Sequence, residues 1–499
     1  MNMERPRICL TLTGTTLSEN LETLNKYRDS IDMAELRVDY LNENERLYVR
    51  RFPSLAGVPC ILTIRRQIDG GKFVEGEAAR TVLFARALSF ADEDRSQNFA
   101  YVDFEEDFHI PSLEDATLAF DTKVIRSFHD MHNPVSDVIS RLKKMATSGF
   151  EIPKIAFMPH CLDDVTNLFK EASKLRDSNH ILLAMGPMGI PTRVLGNKLK
   201  NFLTYTSAPE SMGNMSNITH LDVVKLNELY RVKDINESTK IYGITGWPLS
   251  GTSSPELHNT GFARHNMNSV YIPFPAEDFD QAMNFAECVG VKGFSVTVPH
   301  KEAVLEKANF ISPEVLDIGA SNTMVSDGGR WNCYNTDAYG FARSLLEFTE
   351  FKNLKHKKVA IIGAGGAAKA IAYAVYKLGA KACVFNRTVG KAKALAEKYD
   401  FEYGPLSPES GKLLRKYSDV IIQTTSKGMH CHESSTAEND PLFFYEFSGK
   451  EILFDIVYMP EVTPVMARAK AAGCHVCNGF YMLRYQGYKQ FELYTGENY

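Results

Sequence analysis

Three features of the chain could do chemistry. Lys154 lies inside the apolar run Ile152-Pro153-Lys154-Ile155-Ala156-Phe157-Met158. Desolvation there disfavours an ammonium and makes the amine nucleophilic. A lysine snorkelling near a strand start would satisfy the pattern too. His129, which ends the preceding β-rich run, favours the first reading: an imidazole titrating near neutrality can move protons beside an imine. Lys301 follows Pro299, ahead of a helical run over Glu302–Lys307. Cations are mildly disfavoured at helix N-termini, so a purely structural role is less attractive there. The third feature is Gly363-Ala364-Gly365-Gly366-Ala367-Ala368, after the buried strand Lys358–Ile362 and before the helical run Lys369–Leu378. A Gly-x-Gly-x-x-Ala turn between strand and helix seats a dinucleotide pyrophosphate on the helix N-terminus. The next strand, Ala382–Phe385, ends in Asn386-Arg387-Thr388, with Lys391 beyond. An NAD site would carry an acidic residue there. Arginine and a hydroxyl suit a ribose 2′-phosphate, so NADP is expected, the alternative being a solvated turn.

The elements that must position these residues fall into two halves. Between Arg7 and Ser207 eight β-rich runs recur: Ile8–Thr13, Ala34–Tyr40, Cys60–Arg65, Phe99–Phe104, Lys123–Phe128, Lys154–Met158, Ile181–Met185 and Leu203–Thr206. Segments such as Glu77–Phe90 and Asp163–Leu175 between them read as helical. This alternation predicts an α/β fold, an N-terminal (β/α)8 TIM barrel whose strand ends share one site. Polar residues gather at those ends. Glu35 and Arg37 interrupt the second strand, Arg65 ends the third, Glu105 the fourth and His129 the fifth; Lys154 opens the sixth and Ser207 ends the eighth. The polar stretch 231–240 reads as a linker, and Ile241-Tyr242-Gly243-Ile244-Thr245-Gly246 begins a second α/β half.

Composition bounds the function. The 499 residues carry 56 Lys+Arg against 61 Asp+Glu, a net charge of −5, with 44% hydrophobic and 23% charged residues. These values exclude disordered and fibrous classes. No basic run suggests nucleic acid, and no apolar stretch suggests a membrane span. The start of the chain has neither the h-region of a signal peptide nor an Arg/Ser-rich leader. Nine cysteines without a second Cys-x-x-Cys beside Cys474 and Cys477, and the adjacent His430-Cys431-His432, give no metal expectation. The setting expected is a reducing cytosol, hence a cytoplasmic protein.

Residues 7–212 resemble the type I 3-dehydroquinate dehydratases. The matching segments are Glu35-Leu36-Arg37-Val38-Asp39, Arg65 before Gly70-Gly71, Ser127-Phe128-His129-Asp130, Lys154-Ile155-Ala156-Phe157-Met158-Pro159, Met185-Gly186 leading to Arg193, and Ser207-Ala208-Pro209. The resemblance implies that Lys154 forms the imine and His129 is the acid/base. It implies that Arg65 and Arg193 bind the substrate carboxylate and hydroxyls, and that Glu35, Arg37 and Ser207 complete the pocket. The chain departs from the family in two places. Asp69 stands where a histidine-orienting Glu is usual. Glu210-Ser211 replaces Gly-Gln, which leaves Ser211 at the place of a lid glutamine. Dehydration is therefore expected, but reduced or differently tuned.

Residues 240–499 are similar to shikimate dehydrogenases. The similarity rests on Ser254-Pro255 with His258-Asn259, Gly293–Lys301, Gly319-Ala320-Ser321-Asn322-Thr323, Tyr334–Gly340, Asn386-Arg387-Thr388, Thr424–Met429, Asp455-Ile456-Val457-Tyr458, and Gly479 leading to Met482-Leu483 and Gln486. It implies a Lys301–Asp337 catalytic pair. Thr252 (where the family usually has Ser) and Ser254 would bind the substrate carboxylate, with Thr297, Asn322 and Gln486 on the ring hydroxyls. NADPH would lie on Gly363, Ala364, Gly365, Gly366, Ala367, Asn386, Arg387, Thr388, Lys391, Thr424, Ser426, Gly428 and Gly479. The expected division is a barrel over 1–230, a linker over 231–240, a shikimate-binding lobe over 241–345 completed by 470–499, and a Rossmann NADP lobe over 346–469. The substrates would be 3-dehydroquinate and 3-dehydroshikimate or shikimate. Two rivals remain: a paralogue that prefers quinate or NAD, and a ligand sensor with a weakened dehydratase half.

Overall fold

A computed structural model describes residues 5–89, 92–176, 179–215, 221–249 and 251–499. The chain divides into two compact units, 1–291 and 292–499.

The first unit opens with eight parallel strands: β1 (Arg7–Leu12), β2 (Met33–Arg37), β3 (Cys60–Thr63), β4 (Tyr101–Glu105), β5 (Lys123–Asp130), β6 (Glu151–Phe157), β7 (Ile181–Ala184) and β8 (Leu203–Ser207). Their order is β7-β6-β5-β4-β3-β2-β1-β8. The last seam is closed by an isolated bridge between His180 and Asn201 and by the Asn201 side chain, which accepts from Leu182 N and donates to Leu182 O at 2.8 and 2.9 Å. All eight expected strands are present. Strand β6 starts three residues earlier than expected, so Lys154 stands inside it and does not open it. Of the two expected helices, one spans Glu77–Leu88, with Phe90 outside the described residues, and the other spans Leu162–Ser173.

Side-chain alternation builds the barrel interior in layers. Met33, Tyr101, Ile152 and Leu203 from the even strands, and Cys9, Ile61, Ile125 and Ile181 from the odd ones, form its apolar floor. Two residues further along the even strands stand Glu35, Asp103, Lys154 and Tyr205, all buried. Alternate strands feeding alternate layers is the barrel rule. Here the rule lifts four polar side chains above a dry core.

Within the stretch expected as a linker, the chain makes a turn at Val232–Asp234 and buries Ile235 and Thr239, and Lys240 already belongs to β9 (Lys240–Thr245). Strand β9 pairs parallel with β10 (Ser269–Pro273). The helix Ser254–Arg264 connects them, and the helix Phe279–Val289 follows. That last helix packs on the barrel helix Leu162–Ser173, with Phe285 edge-on to Phe169 at 5.9 Å.

In the second unit β13 (Thr323–Asp327) lies antiparallel to β11 (Val291–Val296) and to β14 (Arg330–Tyr334), and β12 (Phe310–Ile311) runs parallel to β14. A second sheet is built of β15 (Lys358–Ile362), β16 (Lys381–Asn386), β17 (Glu402–Pro405), β18 (Val420–Gln423), β19 (Ile452–Asp455) and β20 (His475–Cys477). It is wholly parallel, in the order β17-β16-β15-β18-β19-β20. Order reverses beside β15, the switch point at which open α/β sheets bind ligands. The final helix, Phe480–Thr495, packs against the helix Asp337–Thr349. Gly340 allows the close approach, since a Cβ there would lie 2.7 Å from Gln486 N. Among the described residues no helix is long and apolar enough to cross a membrane.

Candidate active sites

One cavity at the C-terminal ends of the barrel strands is lined by Glu35, Arg37, Arg65, Asp69, His129, Lys154 and Arg193, together with Leu183, Met185 and Tyr205. The register explains part of the set. Lys154 on β6 opposes Ser127 on β5, and His129 stands two residues further up the same face of β5. Lys154 Nζ donates to Asp103 Oδ2 at 3.0 Å and to Tyr205 OH at 3.2 Å. Asp103 Oδ2 also meets Arg65 at 2.7 Å, and its Oδ1 accepts from Ser127 Oγ at 2.5 Å. Burial alone would raise the Asp103 carboxyl; Arg65 and Lys154 outweigh it and hold the group far below the ordinary carboxylate range.

The surrounding charges are pinned in turn. Arg65 pairs with Glu105 at 2.7 Å, and Glu105 with Arg80 at 2.6 Å. Arg37 grips Asp39 with two hydrogen bonds of 2.9 and 2.8 Å. Glu35 accepts from Thr11 and Thr63 at 3.0 and 2.9 Å. Arg193 differs. It is buried, no carboxylate pairs with it among the described residues, and its Nε has no partner there. Burial lowers its pKa to about 10. A buried guanidinium without a counter-charge is costly, and an anionic ligand entering the cavity would relieve it.

His129 Nδ1 is buried without a hydrogen-bond partner among the described residues. Burial first, then the positive charges of Arg65 and Lys154, hold the imidazole well below its ordinary pKa, so it is neutral and able to act as a base. Asp69 lines the same cavity, but its carboxylate is on Arg66 at 2.6 Å, and burial raises it. Its shorter side chain is thus engaged by Arg66, and His129 Nδ1 makes no hydrogen bond with it. Ser207 ends β8 fully buried, and Ser211 follows on the turn Pro209–Met215; neither is among the cavity's lining residues.

The residue reading missed Asp103, Tyr205 and Ser127. The signal was available for Asp103. An acid inside Tyr101-Val102-Asp103-Phe104 is as anomalous as the lysine inside β6, and both sit two places beyond an apolar interior residue.

In the first unit Thr252 Oγ1 donates to Ser254 Oγ at 3.2 Å, and Ser254 is the first residue of its helix. In the second unit Lys301 Nζ meets Asp337 Oδ2 at 2.5 Å. Asp337 opens the helix Asp337–Thr349, and its N–H donates to Asn335. Asn322 Nδ2 reaches Asp337 Oδ1 and Thr336 Oγ1, both at 2.9 Å, and Gln486 Oε1 at 3.2 Å. Gln490 Nε2 donates to Thr323 Oγ1 at 2.9 Å and to the Asn322 carbonyl at 3.1 Å. Gln486 and Gln490 are thus an i,i+4 pair on one helix face, and that spacing could have revealed Gln490. Thr297 follows β11, half-buried. The stretch expected as a helix over Glu302–Lys307 is a 3-10 turn, Ala303–Lys307.

The cofactor turn adjoins this cluster. Gly363 has φ +115°, and a Cβ on it would lie 2.5 Å from Thr424 Oγ1. Gly365 faces open space, and a Cβ on Gly366 would touch the Lys301 side chain at 3.3 Å. Ala364 belongs to the same turn, which Gly365 closes as the N-cap of the helix Gly366–Lys377, and Ala367 lies in that helix's first turn. Asn386 ends β16, and Arg387, Thr388 and Lys391 are exposed just beyond. Ser426 is exposed and Gly428 has φ +87°. Gly479 fits tightly against the Ile456 carbonyl at the start of the last helix. An open glycine turn beside a free helix N-terminus, with two exposed cations past the next strand, fits NADP.

Fold and sites define a barrel lyase with a buried lysine, joined to a dinucleotide-dependent reductase with a lysine–aspartate pair. Residues 8–237 match the type I 3-dehydroquinase family, 244–324 the shikimate dehydrogenase substrate binding domain, and 346–472 shikimate/quinate 5-dehydrogenase. The chain is 37% identical to the NADP(+) shikimate dehydrogenase of Caldanaerobacter subterraneus, over 53% of this chain and 94% of that one. It is 29% identical to the chloroplastic bifunctional 3-dehydroquinate dehydratase/shikimate dehydrogenase of Arabidopsis thaliana, over 95% of this chain and 79% of that one. A solved structure of dehydroquinate dehydratase and shikimate dehydrogenase from S. pombe aligns with 99% of this chain and 96% of its own, at 22% identity and a TM-score of 0.43. The chain belongs to the shikimate dehydrogenase family and carries a type I 3-dehydroquinase ahead of it.

Proposed function

We infer that this chain dehydrates 3-dehydroquinate to 3-dehydroshikimate in its barrel and reduces 3-dehydroshikimate to shikimate with NADPH in its second half. The observation that carries the reading is the cavity in which uncompensated Arg193 faces the same space as Lys154 and neutral His129. An anionic ketone answers all three groups at once.

Arg193 takes the substrate carboxylate. Lys154 Nζ attacks the ketone carbon; loss of water from the adduct leaves a protonated imine. That cation withdraws electrons from the neighbouring C–H, so His129 can remove the proton. His129 then gives a proton to the departing hydroxyl, which leaves as water. Hydrolysis of the imine frees Lys154 and the enone. Glu35, Arg37 and Arg65 hold hydroxyls and loops; Asp69, tied to Arg66, limits how firmly His129 is oriented.

In the reductase NADPH supplies the hydride when bound. Lys301 donates a proton to the carbonyl oxygen as negative charge develops on it, and Asp337 holds the ammonium in place. Asn322, Thr297 and Gln486 bind ring hydroxyls, and Thr252 and Ser254 the carboxylate. Arg387, Thr388 and Lys391 receive the 2′-phosphate, with Thr424, Ser426, Gly428 and Gly479 framing the remainder of the nucleotide. The working division is a dehydratase over 1–230, a substrate lobe over 241–345 completed by 470–499, and a cofactor lobe over 346–469. The protein so read is cytoplasmic, with small-molecule partners and no nucleic acid. One assay tests both halves: 3-dehydroquinate and NADPH together should give steady NADPH consumption and shikimate. Consumption with 3-dehydroshikimate but not with 3-dehydroquinate would refute the dehydratase; consumption with neither would refute the whole reading.

A further inference from the structure

The ammonium of Lys154 has three N–H bonds to place. Asp103 Oδ2 takes one at 3.0 Å and Tyr205 OH another at 3.2 Å. Nζ also lies 4.4 Å from the centroid of the Tyr205 ring. Among the described residues no third protein acceptor holds it, and Lys154 lines the cavity together with His129. Both anchors come from the same interior layer: Asp103 stands on β4 and Tyr205 on β8, each two residues beyond an apolar neighbour, Tyr101 or Leu203. Tyr205 is buried and fixed by its strand.

We propose that Tyr205 is a positioning residue for the imine-forming lysine. The inference rests on Lys154 being that lysine. When Nζ gives up its unanchored proton, the lone pair left behind points into the cavity, because the other two N–H bonds stay on Asp103 and Tyr205. Asp103 alone cannot do this. A single hydrogen bond leaves the amine free to turn about it, and Asp103 Oδ2 is shared with Arg65 at 2.7 Å. The phenol is suited to the role because it accepts the N–H without adding a charge. Burial first, then Glu35, pushes its ionisation well above the ordinary tyrosine range, so it stays neutral.

The test is Tyr205→Phe in the full chain, a near-isosteric change that keeps the ring and removes only the hydroxyl. The kcat for dehydration should fall by about 10- to 100-fold, as expected for a misaimed nucleophile, while KM for 3-dehydroquinate, set by Arg193, stays within about twofold. In single-turnover experiments the borohydride-trapped adduct at Lys154 should form more slowly by the same factor. NADPH-dependent reduction by the same chain should be unchanged. Adduct formation as fast as in the wild type would overturn the role of Tyr205. A parallel rise in KM would also overturn it, since that would mean the hydroxyl shapes the pocket and does not aim the amine. A wild-type chain that forms no adduct would overturn the imine reading itself.

Discussion

The two halves set the same pair, a lysine on an aspartate, in opposite surroundings. Lys154 is 6% exposed in a ring of strands, and its carboxylate, Asp103, is fully buried and divided between two cations and a serine. Lys301 is 13% exposed, and its carboxylate, Asp337, opens a helix, paired with that one lysine and steadied by Asn322. A shared carboxylate cannot fully satisfy either cation, which suits an amine that must become a nucleophile. A dedicated one holds the ammonium in one place, which suits the proton donor proposed at Lys301. The difference shows that a Lys–Asp pair does not carry a function by itself. What differs between the two pairs is the number of other charges on the aspartate.

The largest expected effect separates the two lysines. Lys154→Ala should cut dehydration by about 10³-fold or more and leave reduction intact, and Lys301→Ala should do the reverse with NADPH binding retained. Separate assays with 3-dehydroquinate and 3-dehydroshikimate on each variant check this. If either change lowers both activities alike, the two sites are not independent.

The aspartates should part company next. Asp103→Asn leaves Arg65 and Lys154 buried around a neutral amide, and breaking a buried ion network in this way costs about 3–5 kcal/mol. The barrel should unfold at lower denaturant. Asp337→Asn leaves one partly exposed lysine with solvent to turn to. Its effect should be on kcat of reduction, by about 10²-fold, with little change in stability. Equal losses of stability in the two variants would erase the distinction between a shared and a dedicated carboxylate.

Much of this was legible in the chain, and the reason is periodicity. Eight β-rich runs with helical intervals gave the barrel, and Gly363-Ala364-Gly365-Gly366 gave the cofactor turn, because both follow from local spacing. Residues that interrupt apolar runs, Lys154 and Glu35 above all, announced themselves. Asp103 and Tyr205 did not, because their importance lies in which strands become neighbours across the barrel, a non-local fact. Strand β6 shows the same limit at its start: Glu151-Ile152-Pro153 reads as a boundary because of the proline, yet pairing with β5 carries the strand through it. The engagement of Asp69 by Arg66 was likewise invisible, since two adjacent charges in a loop do not reveal which partner each will choose.

The smallest effect is in pH. Burial and the charges of Arg65 and Lys154 hold His129 well below its usual value of 6.5, against the opposing pull of Asp103. The free enzyme therefore keeps its base unprotonated through pH 6.5, and the acid limb of kcat/KM for dehydration that belongs to His129 should fall well below it. The same shift acts on stability. The folded value lies below the unfolded one, so the unfolded chain binds a proton that the folded site refuses, and stability is lost as pH falls through 6.5 toward the folded value. Between pH 7 and pH 5 the denaturant midpoint of His129→Asn should fall less than that of the wild type. A limb of kcat/KM centred on 6.5, or a slope that the substitution leaves unchanged, would mean that the charges around Asp103 balance at the imidazole, and that the crowding which distinguishes this site from the Lys301 pair does not reach its base.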